Sequence, residues 1–280
     1  MKTAKTVDEL RNEIKVFGEN KTIGFAPTMG YLHEGHLSLI KRAKTENDIV
    51  VVSIFVNPTQ FGPGEDFESY PRDFEKDAGL AEAAGADILF LPDAKEIYPV
   101  GSATIVEVEG PITKKLCGSS RPTHFKGVTT VVNILLNIVS PDKAYFGQKD
   151  AQQVAVIKKM IRGLHMQVAI VTCPIIREAD GLALSSRNVG LKTEEREQAP
   201  VLSRALNIAK DLWISGENDV ATLKTVIANE INTMPLADID YVDILDYETL
   251  AGIEKIDAPA LAAVAVRFGN TRLIDNIILE

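Results

Sequence analysis

The first two-thirds of the chain alternates short apolar runs with longer segments whose apolar residues recur at helical spacing. Residues 22–26 (TIGFA) form a short β-branched run that ends at Pro27. Residues 49–56 (IVVVSIFV) are continuously apolar, the pattern of a strand buried on both faces. Residues 86–91 (ADILFL) and 168–172 (VAIVT) repeat it. Helical signals fall between these runs. Residues 35–44 carry apolar Leu37, Leu39, Ile40 and Ala43. In 128–139 the polar residues Thr129, Asn133 and Asn137 recur every four positions, so they share one side of a mostly buried helix. Asp150 and Gln153 have capping-box spacing, and Val154, Ile157, Ile161 and Leu164 follow at helical intervals. Strands alternating with helices predict an α/β fold, a Rossmann-like parallel sheet with right-handed crossovers.

The pattern changes after about Arg187. Residues 193–213 read as one amphipathic helix, with Leu202, Ala205, Leu206, Ala209, Leu212 and Trp213 on a common face. Asp219 is placed to cap a second helix carrying Leu223, Val226, Ile227 and Ile231. Strand-like runs follow at 239–245, 261–268 and 272–279. Helices first and strands afterwards predict a smaller α+β domain. The boundary falls near 186–192, giving domains at 1–186 and 187–280.

Charge narrows the partners. Thirty basic residues against 39 acidic ones leave a net charge of −9. That argues against a nucleic-acid or anionic-membrane surface. It leaves room for a nucleotide site, since a few local cations and backbone N–H groups can hold a triphosphate. The longest nearly apolar stretch, 128–139, is interrupted by Thr129, Thr130, Asn133 and Asn137, so no membrane span is expected. Cys117 and Cys173 are far apart and form neither a zinc motif nor a disulfide framework. With no signal-peptide apolar block at the N-terminus, a cytoplasmic location is expected.

Four segments carry candidate chemistry. The first is PTMGYLHEGH at 27–36, which follows a strand and opens a helix. Gly30 and Gly35 remove side chains where phosphates would approach backbone N–H groups. His33 and His36 share a helical face and can donate to phosphate oxygens as pyrophosphate leaves. The competing readings are two surface histidines or half of a metal site; the sequence shows no further ligands at metal spacing. The second segment is NPTQF at 57–61, where Asn57 and Gln60 offer neutral donors and acceptors for a hydroxy acid. The turn-rich stretch after it, 58–72 overall, is a candidate lid.

The third segment is Phe146-Gly147-Gln148-Lys149-Asp150, leading to Gln153. Lys149 supplies a point charge for phosphate, and Asp150 either accepts from ribose hydroxyls or caps the following helix. The fourth, READGLALSSRN at 177–188, sets Ser185, Ser186 and Arg187 in a row suited to β- and γ-phosphates. A further basic loop, RPTHFKG at 121–127, reads as structural rather than chemical.

Taken together, PTMGYLHEGH, NPTQF, RPTHFKGV, READGLALSSRN and the late RFGNTRLIDN resemble the pantothenate synthetase (pantoate–β-alanine ligase) family over essentially the whole chain. HxGH alone resembles only the wider nucleotidyltransferase superfamily. The resemblance implies a homodimer of a Rossmann-like ATP- and pantoate-binding domain with a smaller lid domain. It implies ATP with Mg²⁺, the substrates pantoate and β-alanine, and pantoyl adenylate as the intermediate. Carried over by position, Met29, Gly30, Tyr31, Leu32, His33, Glu34, Gly35 and His36 line the ATP site. So do Gly147, Gln148, Lys149, Asp150, Ile176, Leu184, Ser185, Ser186 and Arg187. Gln60 and Gln153 hold pantoate, and His33, His36, Lys149 and Arg187 are the catalytic set. No residue is assigned to metal; Glu75 and Asp77 are acidic residues considered for Mg²⁺. The family often has Glu where this chain has Gln148. The rival readings are adenylation of a phosphate-bearing acceptor, which needs a second cationic pocket, and a non-catalytic nucleotide-sensing module.

Overall fold

The structure is a computed structural model, and it describes residues 1–18, 20–62 and 67–280. Residues 63–66 of the candidate lid lie outside the described residues. The chain divides into two compact units. The first comprises Met1–Glu109, Ser120–Gly147 and Val156–Pro174; the second comprises Gly110–Ser119, Gln148–Ala155 and Ile175–Glu280.

In chain order up to Cys173 the elements are β1 (Lys2–Ala4), α1 (Val7–Val16), β2 (Ile23–Thr28), α2 (Glu34–Glu46), β3 (Ile49–Ile54), α3 (Phe74–Ala83), β4 (Ile88–Phe90), α4 (Ala94–Ile97), α5 (Cys117–Ser120), α6 (His124–Val139), β5 (Lys143–Gly147), α7 (Ala151–Gly163) and β6 (Ala169–Cys173). The strands make one parallel sheet in the order β1-β4-β3-β2-β5-β6. The apolar runs become its central strands because both faces are covered. Val50, Val51, Val52, Ile88, Leu89 and Phe90 are fully buried, and each such side chain contributes roughly 1.5–3 kcal/mol of burial free energy.

From β2 the chain builds outward through β3 and β4, then returns to place β5 on the other side of β2. The order therefore reverses between β2 and β5. Sheets of this kind bind ligands outside the carboxyl ends of the strands at that reversal. The PTMG segment leaves one of those strand ends and Gly147 closes the other.

Two strands of this sheet escaped the hydrophobic pattern. β1 is only three residues long, and β5 is a short run, KAYFG, that begins with Lys143 and ends at Gly147. Tyr145 is fully buried in β5 because its hydroxyl is satisfied: it accepts from Asn47 Nδ2 at 2.7 Å and donates to Glu46 Oε2 at 3.0 Å. β2 runs through Pro27 rather than stopping at it. Thr22 and Thr28 accept from Ile49 and Phe55 of the β3 side, so alternation turns Pro27 toward β5. Pairing with β5 ends at Phe25, and the missing N–H of Pro27 costs no ladder bond.

In the second unit, α8 (Thr193–Gln198), α9 (Val201–Ile214) and α10 (Val220–Ile231) precede the antiparallel strands β7 (Ala237–Asp246), β8 (Ala260–Phe268) and β9 (Thr271–Leu279), ordered β7-β8-β9. The single helix expected over 193–213 is two helices. Pro200 sits at the break, where it has no N–H to continue the ladder. The apolar face survives in α9, where Leu202, Ala205, Leu206 and Ala209 are buried, whereas Leu212 is 37% exposed. Asp219 caps α10 as expected, accepting from Thr222 N–H at 2.7 Å.

Candidate active site

The HxGH segment forms the first turn of α2. His33 is the N-cap, in extended backbone conformation, and its Nδ1 accepts from Gly35 N–H at 3.1 Å. His36, three residues on, accepts from His33 N–H through its own Nδ1 at 3.4 Å. The two imidazoles thus form a reciprocal capping box, the role usually filled by Ser or Thr with Glu. Their ring centroids lie 4.1 Å apart. Both Nδ1 atoms act as acceptors, so each neutral ring carries its hydrogen on Nε2. The cap uses the Nδ1 side of each ring, and Nε2 lies on the opposite side.

The loop before this cap is held from outside. Gly30 and Tyr31 both have left-handed backbone, with φ of +85° and +52°. For Tyr31 that conformation costs about 1–3 kcal/mol. Asp77 of α3 offsets it. Its carboxylate accepts from Tyr31 N–H and Leu32 N–H, both at 2.7 Å. A Cβ at Gly30 would sit 3.0 Å from Asp77 Oδ2 and from Ile54 Cγ2, so a side chain there would be crowded as well as strained by φ. Asp77 is 2% exposed. Burial pushes its carboxyl group up, against the pull of the two N–H donors.

The NPTQ turn follows β3 and centres on Asn57, which is 1% exposed. Asn57 Oδ1 accepts from Tyr98 Oη at 2.8 Å and from Thr59 Oγ1 at 3.0 Å; its Nδ2 donates to Gln60 Oε1 and to Gly127 O, both at 3.2 Å. Gln60 Nε2 then donates to Met29 Sδ at 2.9 Å, so this turn touches the PTMG loop. The basic loop explains itself here. His124 Nδ1 donates to Gln60 O at 2.9 Å, and Arg121 Nη2 donates to the same oxygen at 3.3 Å. Gly127 lets α6 lie against the turn, for a Cβ there would be 2.4 Å from Thr59 O and 2.6 Å from Gln60 N.

In the second unit, Gln148–Asp150 forms a 3₁₀ turn running into α7. Lys149 Nζ lies 3.6 Å from Asp150 Oδ1. A Cβ at Gly147 would meet nothing within 4 Å among the described residues, so packing does not account for that glycine. Of the two glutamines in α7, Gln152 is spent on structure. It donates to Ile112 O at 2.9 Å and Lys115 O at 2.7 Å and accepts from Cys117 N–H at 3.0 Å. Gln153 is only partly buried.

The 177–188 segment folds back on itself. Arg177 bridges Ala183, and Ile176 O accepts from Leu184 N–H at 2.9 Å. Ser185 caps the 3₁₀ turn Ser186–Gly190, its Oγ accepting from Arg187 N–H at 3.3 Å. Arg177 also forms a bidentate pair with Asp275, at 2.6 and 2.9 Å.

Sequence reasoning missed Asp77 as the clamp of the PTMG loop and missed the roles of Asp275 and Asn276. Their partners lie 46, 98 and 127 positions away along the chain, and no local pattern reports such pairs. Among the described residues no group of three or more His, Cys, Asp or Glu is placed to hold a metal ion. No helix of the described residues is long and apolar enough to cross a membrane.

A parallel sheet reversing between β2 and β5, with an imidazole-capped helix after β2, defines a Rossmann-like protein of the HxGH nucleotide-binding class. Comparison with known proteins narrows the class. The family model for pantoate-beta-alanine ligase matches residues 2–278, and the chain belongs to that family. It is 55% identical over 281 residues to the pantothenate synthetase of Acetivibrio thermocellus, with all of both chains covered. The crystal structure of pantothenate synthetase from Thermus thermophilus superposes with a TM-score of 0.94 at 48% identity, covering 99% of each chain. A pantoate-beta-alanine ligase from Francisella tularensis, solved in complex with beta-gamma ATP and beta-alanine, gives a TM-score of 0.82 at 36% identity, covering 100% of this chain and 98% of that one.

Proposed function

We propose that this chain joins pantoate to β-alanine at the expense of ATP, giving pantothenate, AMP and pyrophosphate through a pantoyl adenylate. The carrying observation is family membership over residues 2–278 combined with the imidazole capping box of His33 and His36. A free carboxylate resists attack by an amine and must be activated. One pantoate oxygen attacks the α-phosphorus and pyrophosphate leaves; the amine of β-alanine then attacks the acyl carbon and AMP leaves. The chain's work is positioning and charge stabilisation.

In this reading the Nε2–H groups of His33 and His36 donate to phosphate oxygens as charge develops. Met29, Gly30, Tyr31, Leu32, Glu34 and Gly35 line the same nucleotide. Gly147, Gln148, Lys149, Asp150, Ile176, Leu184, Ser185, Ser186 and Arg187 complete the nucleotide contacts, with Lys149 and Arg187 supplying fixed positive charge. Gln60 and Gln153 hold pantoate. Gln60 is held for this by Asn57, Arg121 and His124.

Mg²⁺ belongs to the substrate as MgATP. Asp77 is committed to Tyr31 and Leu32, and Glu75 is exposed. That fits a cation held chiefly by phosphates and water. A homodimer, a lid role for 187–280 and a cytoplasmic location belong to the same proposal.

The test is to incubate the protein with ATP, Mg²⁺ and pantoate, with and without β-alanine, and to follow pyrophosphate and AMP separately. The expected result is pyrophosphate stoichiometric with enzyme without β-alanine, and continuous AMP release with it. ADP as product, or AMP release independent of β-alanine, would contradict the proposal.

A further inference from the structure

Asn276 lies near the end of β9, 3% exposed, in the late RFGNTRLIDN string. Its Nδ2 donates to two consecutive backbone carbonyls, Gln148 O and Lys149 O, both at 3.0 Å. Its Oδ1 accepts from Gln148 Nε2 at 3.3 Å. The neighbouring Asp275 is 2% exposed and pairs in bidentate fashion with Arg177 at 2.6 and 2.9 Å. Arg177 Nη1 also donates to Gly181 O at 3.0 Å, closing the loop that leads to Ser185. Asp275 Oδ1 further accepts from Asn276 N–H at 2.8 Å, which ties the two anchors together.

Hydrogen-bonding two adjacent carbonyls with one amide fixes the direction of the peptide between them. That peptide is the one that carries Lys149. A hydrophobic side chain at 276 would fill the space but leave both carbonyls without this partner. We propose that Asn276 is a positioning residue for Lys149, and that Asp275 does the same for the Ser185–Arg187 turn through Arg177. Two consecutive side chains on one strand thereby set two phosphate-binding loops. The inference rests on the reading of Lys149 as a phosphate ligand and adds where its placement comes from.

The test is a double-mutant cycle read by single-turnover pyrophosphate release from ATP and pantoate, using Asn276→Asp, Lys149→Ala and the double variant. Asn276→Asp keeps the shape and removes both donors. It is expected to slow release on the order of tenfold to a hundredfold, with the affinity for pantoate within twofold of the parent. In the Lys149→Ala background the same change is expected to add less than threefold, because its effect acts through Lys149. Losses that multiply, or an Asn276→Asp variant as fast as the parent, would overturn the proposal. Lys149→Ala as fast as the parent would instead overturn the phosphate role of Lys149 itself. Should Asn276→Asp fail to melt cooperatively, Asn276→Ser removes the amide without burying a charge and carries the same prediction.

Discussion

His36 accepts the backbone N–H of His33 through Nδ1 at 3.4 Å, and this bond places the ring hydrogen of a neutral His36 on Nε2. The bond is long and the cap therefore weak. Its value lies in fixing the tautomer. His36→Ala is expected to keep the fold, seen as an unchanged far-UV spectrum. Single-turnover pyrophosphate release is expected to fall on the order of a hundredfold to a thousandfold, the usual cost of one lost transition-state donor.

Asp77 supports the loop in front of those histidines. Asp77→Asn leaves one of the two N–H groups facing an amide NH₂ instead of an oxygen. Hydrogen bonds to a charged group are worth about 1.5–3 kcal/mol, so chemical denaturation is expected to show a loss of that order. The rate of pyrophosphate release should fall with it, since the offset for the left-handed backbone of Tyr31 is weakened.

Gly127→Ala tests the contact between α6 and the NPTQ turn. The added methyl would meet backbone, Thr59 O and Gln60 N, at 2.4 and 2.6 Å. Overpacking of this kind costs about 1–3 kcal/mol. The turn carrying Gln60 must also move, so KM for pantoate is expected to rise several-fold while KM for ATP changes little. Steady-state kinetics with each substrate varied in turn distinguishes the two.

These residues mark where the sequence is legible and where it is not. The sheet could be read because 49–56 is apolar at nearly every position, which a strand covered on both faces explains. The small domain could be read because Asp219 and the period of Leu223, Ile227 and Ile231 announce a capped helix. β5 was hidden because its Tyr145 needs Asn47 and Glu46 to be buried, a condition set by distant chain. Helix 193–213 was over-read because the helix-forming residues of 193–198 run directly into the apolar face of α9, with Pro200 at the break between them. HxGH, NPTQ and SSR were visible as chemistry-bearing strings. The side chains that aim them, Asp77, Asp275 and Asn276, sit in ordinary helix and strand positions and become visible only through their partners.

The cluster at the end of α2 gives a pH test. Arg42, Tyr145 and Lys143 hold the Glu46 carboxyl down at about 2. The folded protein binds that proton more weakly than the unfolded chain does. The stabilisation is therefore present above the ordinary carboxylate range and is lost as pH falls toward 2. Thermal melts of the parent and Glu46→Gln should differ most near neutral pH and converge as the pH is lowered from about 5 to about 2. A constant difference across that range would remove Glu46 from the acid limb.

The reaction assigned to the site is tested most directly by the fate of one oxygen. Pantoate labelled with ¹⁸O in its carboxylate, turned over with ATP and β-alanine, is predicted to deliver one labelled oxygen to AMP and to leave pyrophosphate unlabelled. Mass spectrometry of the two products reads both. Label in a phosphate other than that of AMP, or AMP without label, would contradict attack of the carboxylate on the α-phosphorus.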